Sequence, residues 1–152
     1  MAPAHLPSDF KEFLKLLLKH QVKYLLVGGY AVAYYGYPRT TADIDIWIES
    51  EQQNAERLIS ALREFGFDTP DLKAELFLRH DHIIQMGISP NRIEIFTSLP
   101  GVDFKECISN QVLDELDGVQ VKIIDLKNLR RNKSATARHK DLDDLENLPE
   151  AD

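Results

Sequence analysis

The chain has 152 residues, of which 43% are hydrophobic and 28% are charged, and its formal net charge is -7. This length suits one compact domain, and the composition is typical of a globular protein and excludes a disordered or low-complexity chain. The negative charge disfavours indiscriminate binding to nucleic acid or to an anionic membrane, so any contact with nucleic acid has to be local.

The cysteine content and the N-terminal residues indicate the cellular compartment of the protein. Cys107 is the only cysteine, which excludes an intrachain disulfide and favours a reducing, cytoplasmic environment. Lysine and glutamate residues interrupt the apolar residues of the first segment, so we expect neither an export signal nor a membrane segment. We expect one domain over residues 1–148, followed by a loose tail over 149–152.

The first elements read as helix, strand and helix. Apolar residues at spacings of three and four predict a helix within 7–20, with Ser8 as its cap. The apolar run 22–28 predicts a strand that stops at a glycine pair. Helix-forming residues then continue over 30–36.

A second strand and a long helix follow. Strict alternation of apolar and polar residues over 43–49 predicts a strand with a charged start. The helix over 50–66 opens with Ser50 and Gln53 at the spacing of a capping box and ends at Gly66.

The second half adds strands and closes with helices. Residues 82–88 and 92–97 predict a hairpin, 102–111 a helix, 119–124 a strand, and 125–148 one or two helices. The leucines expected in the core of these last helices are Leu126, Leu129, Leu142, Leu145 and Leu148. The elements together predict an α/β fold, with a mixed sheet of about five strands flanked by helices.

Three carboxylates are the candidate chemical groups. Asp43 and Asp45 are two residues apart in a strand, so their side chains share a face at a backbone spacing of about 6.6 to 6.8 Å. Glu94 lies in the middle of a second strand and would join them if the two strands were neighbours. Such a cluster either takes up a proton or binds a hard cation such as Mg²⁺. The alternative is that both aspartates lie on the solvent face of an edge strand.

The glycine pair offers a second element of a site. Gly28 and Gly29 lie between a strand and a helix, where backbone without a Cβ can approach a phosphate closely. Glycines at a strand-helix turn also occur for purely steric reasons.

These blocks together resemble a known family. The segments "VGG", "YPRTTADIDIWIE", "RIEIFTSLPGVDF" and "NKSATARHKDLDDLENL" occur in order over residues 20–148. They look like the minimal nucleotidyltransferases of the DNA polymerase β superfamily, especially the bacterial group with toxin-like and abortive-infection members. The resemblance implies a nucleotidyltransferase-like fold and transfer of a nucleoside monophosphate from an NTP to an acceptor.

The resemblance also implies roles for individual residues. Asp43, Asp45 and Glu94 would bind two Mg²⁺ ions, with Mn²⁺ as an alternative, and Glu94 could instead take the proton of the acceptor hydroxyl. The third acid of this superfamily is usually aspartate, so the longer Glu94 puts full activity in doubt. The nucleotide and its phosphates, or the acceptor, would contact Gly28, Gly29, Arg39, Thr40, Thr41, Lys133, Arg138 and Lys140.

The acceptor is left open at this stage. RNA such as tRNA, a protein hydroxyl and a small molecule such as an aminoglycoside all fit the resemblance, and toxin-like members imply an antitoxin partner. The segment 126–140 holds six of the 18 Lys and Arg residues, which favours RNA or protein. The rival hypotheses are a catalytically silent relative that binds nucleotide or a partner protein, and hydrolysis at the same metals.

Other candidate groups are weaker. His80 and His82 have the spacing of metal ligands but lack a third one. Trp47 shares the aspartate face and could stack on a base, whereas Cys107 has no obvious partner. The helix tyrosines are better explained as core residues than as stacking partners, namely Tyr30, Tyr34, Tyr35 and Tyr37.

Overall fold

The computed structural model describes residues 5–39, 41–88 and 91–151. The helices are α1 (Ser8–Lys19), α2 (Gly28–Tyr34), α3 (Gln52–Phe65), α4 (Phe104–Ser109), α5 (Leu126–Thr136) and α6 (His139–Asn147), with a short 3₁₀ helix at Ala74–Phe77. The strands are β1 (Tyr24–Val27), β2 (Ile44–Ile48), β3 (Ile83–Met86), β4 (Ile93–Phe96), β5 (Val112–Leu116) and β6 (Val119–Ile123).

The strands form one mixed sheet in the order β3-β4-β2-β1-β6-β5. The central strand β2 runs antiparallel to β1 and parallel to β4, and β1 runs parallel to β6. The outer strands β3 and β5 each pair antiparallel with their neighbour in a hairpin. The predicted mixed α/β architecture is therefore confirmed, with six strands instead of about five.

The additional strand is β5, which lies at an edge of the sheet. Its middle residues Leu113, Asp114 and Glu115 are exposed, so the strand lacks the alternation that marks a half-buried strand. The turn to β6 contains Asp117 and Gly118, both with positive φ (50° and 83°). An Asp-Gly pair of this kind is a strong hairpin signal, because two positive φ angles match the twist of paired strands.

Two predicted helix caps are wrong. Ser8 is the first residue of α1, and Pro7 takes the cap position without a side-chain bond. The cap of α3 is Glu51, whose carboxylate accepts the backbone N–H of Asn54 at 3.0 Å. The hydroxyl of Ser50 instead donates to the carbonyl of Phe77 at 2.7 Å, which ties the start of α3 to the 3₁₀ helix.

The last helix has a charged inner face. Leu129 and Leu148 are buried as predicted, whereas Leu142 is 47% exposed and is not a core residue. The residues of α6 that face inward are Asp141 and Asp144, both fully buried. The assignment of Leu142 to the core is therefore wrong, because α6 buries two aspartates that the leucine pattern did not indicate, and buried carboxylates are rare unless they are paired.

Candidate active site

The register of two neighbouring strands brings the carboxylates together. In the parallel pairing of β2 with β4, Asp45 lies directly opposite Glu94. Asp43 lies two residues before Asp45 and points to the same face. Neither strand is at an edge of the sheet, so the interpretation of an exposed edge strand does not apply.

The glycine pair lies against this cluster. Gly28 follows β1 directly and begins α2 with a φ of 68°, and a Cβ atom there would overlap the carboxylate of Asp45. A Cβ at Gly29 would lie 2.6 Å from the hydroxyl oxygen of Thr41. Both glycines are thus required by the close approach of side chains from β2 and from the segment before it.

The carboxylates and the glycine turn share one cavity, which we call the acidic pocket. It has a volume of about 190 Å³, and its lining includes Gly29, Thr41, Asp43, Asp45, Glu94 and Lys140. Thr41 donates its hydroxyl to the carbonyl of Asp43 at 3.1 Å, which fixes the chain just before β2. The pocket therefore combines backbone without side chains, acidic oxygens and a lysine.

The three carboxylates differ in the direction of their pKa shifts. Burial raises the pKa of Asp45 to about 7, and repulsion from Glu94 and Asp43 adds to the shift. Burial and a hydrogen bond to Asp43 raise the pKa of Glu94. Burial opposes the charge of Asp43, but hydrogen bonding with Arg92 and with Glu94 holds its pKa below the ordinary value. The cluster thus shares its charge unequally, as interacting acids in one site do.

Arg92, which strand alternation places on the face of Glu94, makes a contact to the cluster that the sequence did not predict. Its Nη2 and Nε atoms donate to Oδ2 of Asp43 at 2.9 and 3.3 Å, and Nη2 lies 4.0 Å from Oε1 of Glu94. The other carboxylate oxygen of Asp43, Oδ1, is buried without a hydrogen-bond partner. As these side chains are placed, no group of three or more His, Cys, Asp or Glu residues within 5–39, 41–88 and 91–151 could hold a metal ion.

A larger cavity of about 690 Å³, here called the main cleft, borders the acidic pocket and shares Gly29, Arg39, Asp45 and Lys140 with it. Its volume is within the range of about 300 to 1,000 Å³ that is usual for ligand sites. An apolar side is formed by Ile83, Phe96, Leu99 and Pro100, and a basic side by Arg39, Lys133, Arg138 and Lys140.

A protein-family model described as Aminoglycoside-2''-adenylyltransferase matches residues 9–148. The chain belongs to this family. The structure is also similar to a crystal structure from Thermotoga maritima of a protein provisionally described as a nucleotidyltransferase, with a TM-score of 0.58 and 16% sequence identity, over 90% of this chain and 88% of that one. The resemblance to minimal nucleotidyltransferases is therefore confirmed. No curated protein matches the chain.

The basic side of the main cleft in this adenylyltransferase family member is held by a buried ion-pair network. Lys133, only 4% exposed, lies 3.3 Å from Asp141 and 3.1 Å from Asp144. Asp144 also accepts two hydrogen bonds from Arg39, at 2.7 and 3.1 Å. Asp141 accepts the backbone N–H and the guanidinium of Arg138, which caps α6. The segment "KDLDD" therefore positions the cations of the cleft.

The predicted nucleotide-binding residues of the family member are placed as follows. Gly29 and Lys140 line both cavities, and Thr41 lines the acidic pocket. Lys133 and Arg138 line the main cleft but are bonded to α6 carboxylates. The prediction for Thr40 lies outside the described residues.

The aromatic residues named from the sequence are not placed to stack on a base, and the aromatic residue that lines the main cleft is Phe96. Trp47 is 1% exposed and packs edge-on against Phe104, so it cannot stack on a base. The hydroxyl groups of Tyr35 and Tyr37 bond the Ile124 carbonyl and Asp143. Phe96 lines the main cleft and, being on the face of Glu94, could have been identified from strand alternation.

Two further expectations concern groups outside the site. Cys107 is buried, and burial raises the pKa of its thiol to about 12, which agrees with an inert residue. Within the part of the chain that the structure describes, no helix has the length and apolar character needed to cross a membrane.

Proposed function

We propose that this family member transfers a nucleoside monophosphate from an NTP to an acceptor hydroxyl in the acidic pocket. The observation that carries the proposal is the register of β2 and β4, which sets Asp45 opposite Glu94 while Asp45 packs on Gly28. Carboxylates from separate strands beside a side-chain-free turn form a small polar centre next to a cleft large enough for a nucleotide.

Each part of the site has a role in this reaction. The backbone at Gly28 and Gly29 would face the phosphates, and Arg138 and Lys140 would neutralise their charge. The acceptor oxygen attacks the α-phosphorus, the bond from that phosphorus to the bridging oxygen breaks, and pyrophosphate leaves. Where Glu94 does not bind the second cation, the hydroxyl proton passes to its carboxylate, whose raised pKa suits a general base.

The residues of the acidic pocket fit a hard divalent cation. Its three carboxylates offer only oxygen ligands, which Mg²⁺ prefers, and Asp43 keeps a buried oxygen without a partner. Asp43, Asp45 and Glu94 would hold two Mg²⁺ ions, or Mn²⁺, once the Arg92 contact to Asp43 opens. A bound cation of this kind neutralises phosphate charge and polarises the α-phosphate.

The structure changes the balance between acceptors. Arg130 donates to the carbonyls of α6 and the residues after it, and Arg131 pairs with Glu106, so these cations of the basic segment 126–140 have partners within the chain. The argument for RNA or protein is weaker for this reason. The exposed carboxylate of Asp81 at the main cleft suits an amino group. We therefore propose an aminoglycoside-type acceptor, in line with the family description.

A labelling experiment tests the reaction and the acceptor together. The full chain is incubated with each α-labelled NTP and Mg²⁺, and in parallel with an aminoglycoside panel, with tRNA and with cell lysate. We expect a labelled aminoglycoside and pyrophosphate, and we expect Asp43→Asn to abolish both, while Asp71→Asn, which changes an exposed carboxylate in a loop, does not.

The other hypotheses predict different products. Labelled RNA or protein would support a toxin role and an antitoxin partner. Free nucleoside monophosphate without a labelled acceptor would indicate hydrolysis. Binding of NTP without any transfer would favour the catalytically silent relative and would contradict the proposal.

A further inference from the structure

Arg92 contacts two of the carboxylates that line the acidic pocket. It directly precedes β4, and two of its nitrogens donate to the same oxygen of Asp43, at 2.9 and 3.3 Å. The same guanidinium is 4.0 Å from Glu94. Carboxylates on adjacent strands repel each other, and a fixed cation between them offsets this repulsion.

The contact restricts what Asp43 can do. Oδ2 is engaged by Arg92, while Oδ1 is buried and has no hydrogen-bond partner in the described structure. With the side chains in this arrangement, no three acidic groups of the described ranges are placed to hold a metal ion. In this arrangement the guanidinium of Arg92, and not a bound metal ion, offsets the negative charge of the carboxylate cluster.

We propose that Arg92 is the resident counter-ion of the acidic pocket and that a divalent cation binds by displacing it from Asp43. The Arg92 side chain is 34% exposed, so it has room to turn toward solvent when it leaves. This inference rests on the proposed function, because it requires the divalent site described there.

Because Arg92 and a divalent cation would compete for Asp43, Arg92 is a positioning residue that affects the stability of the fold and the affinity for metal in opposite directions. In the metal-free protein it stabilises the pocket, since three carboxylates would otherwise face one another with Lys140 as a more distant cation. In the metal-bound protein its contact to Asp43 has been lost. Removing the guanidinium should therefore weaken the metal-free fold and strengthen metal binding.

Direct binding of Mn²⁺ tests the proposal without any catalytic readout. Free Mn²⁺ is measured by electron paramagnetic resonance during titration of the wild-type protein, Arg92→Gln, Arg92→Lys and Arg57→Gln. We expect about tenfold tighter binding by Arg92→Gln and a smaller gain for Arg92→Lys, which keeps the charge but loses the planar fork. Arg57→Gln, a matched charge change on α3, should bind like the wild type.

Thermal denaturation gives an independent readout on the same variants. In EDTA, Arg92→Gln should unfold at a lower temperature than the wild type. Saturating Mn²⁺ should raise the Tm of Arg92→Gln by more than it raises the Tm of the wild type. Lys140→Gln controls for charge acting at a distance, since Lys140 affects Asp43 and Asp45 electrostatically. It should tighten Mn²⁺ binding by less than Arg92→Gln does.

Each contrary outcome has a distinct meaning. Unchanged or weaker Mn²⁺ binding by Arg92→Gln would overturn the proposal and leave the proposed function intact. An equal gain from Lys140→Gln would also overturn it, because displacement from Asp43 would then be irrelevant. Absence of Mn²⁺ binding in every variant would remove the metal site itself, and with it the metal-dependent form of the proposed function.

Discussion

Replacement of Asp45 by asparagine should stabilise the metal-free protein at neutral pH. Burial and the neighbouring Glu94 and Asp43 raise the pKa of Asp45 from 3.8 to about 7. One pKa unit corresponds to about 1.4 kcal/mol, so a shift of roughly three units sets an upper limit of about 4 kcal/mol on the cost of ionising Asp45 in the fold. Because the side chain is only partly buried, water screens some of this repulsion, and we expect Asp45→Asn to add about 2 kcal/mol.

The effect should depend on pH with a defined sign. Between pH 3.8 and about 7 the folded protein keeps a proton on Asp45 that the unfolded chain has already lost. Stability contributed by this group therefore falls as the pH rises through that window. The advantage of Asp45→Asn should be largest above pH 7 and should shrink toward pH 4.

Thermal and urea denaturation in EDTA at pH 8 and pH 4.5 would measure the stabilisation by Asp45→Asn and its dependence on pH. For a chain of this length, about 2 kcal/mol corresponds to an increase in Tm of about 4 to 8 °C. Asp71→Asn is the matched control, since it removes an exposed carboxylate, and it should change little at either pH. Two outcomes would refute the conclusion that burial and neighbouring carboxylates destabilise ionised Asp45. The variant could be less stable than the wild type at pH 8, or its Tm could be shifted equally at both pH values.

Three further predictions concern other parts of the site and the fold, and urea denaturation of the variants tests each of them. Gly28→Ala should destabilise the protein more than Gly29→Ala, because only the former has a positive φ in addition to a blocked Cβ; the reverse order would contradict the steric account. Asp144→Asn should cost about 3 kcal/mol, because Arg39 loses its ion pair with Asp144 and Lys133 keeps only the one with Asp141, whereas Asp143→Asn on the exposed side should cost less than about 1 kcal/mol. Equal losses of stability in Asp144→Asn and Asp143→Asn would contradict the stabilising role of the buried ion-pair network. Glu51→Ala should cost about 1 kcal/mol as a lost helix cap, and an unchanged free energy of unfolding would show that the cap is dispensable.

The site was predictable where one local rule decided the structure. Alternation in two strands placed Asp43, Asp45 and Glu94 on one face, and their convergence needed only that the strands be neighbours, which the parallel pairing provides. The glycine pair likewise followed from its place at the end of a buried strand. For the carboxylates, the period of the strand fixes the direction of the side chains.

The remaining features depend on contacts between distant segments. The pairing of Arg92 with Asp43 joins residues 49 positions apart, and periodicity alone cannot show that the guanidinium turns toward β2. The burial of two aspartates on α6 could not be predicted, because these carboxylates are stable there only beside cations such as Lys133 and Arg39, which come from other segments. The edge strand β5 lacks alternation because water covers its middle residues.

A crystal structure of the protein with Mn²⁺ and a non-hydrolysable NTP would test the central claim most directly. The account predicts anomalous density for Mn²⁺ in contact with Asp43 and Asp45, the triphosphate against Gly28 and Gly29, and Arg92 turned away from Asp43. A nucleotide bound elsewhere, or Mn²⁺ remote from β2 with the Arg92 contact to Asp43 still in place, would contradict it.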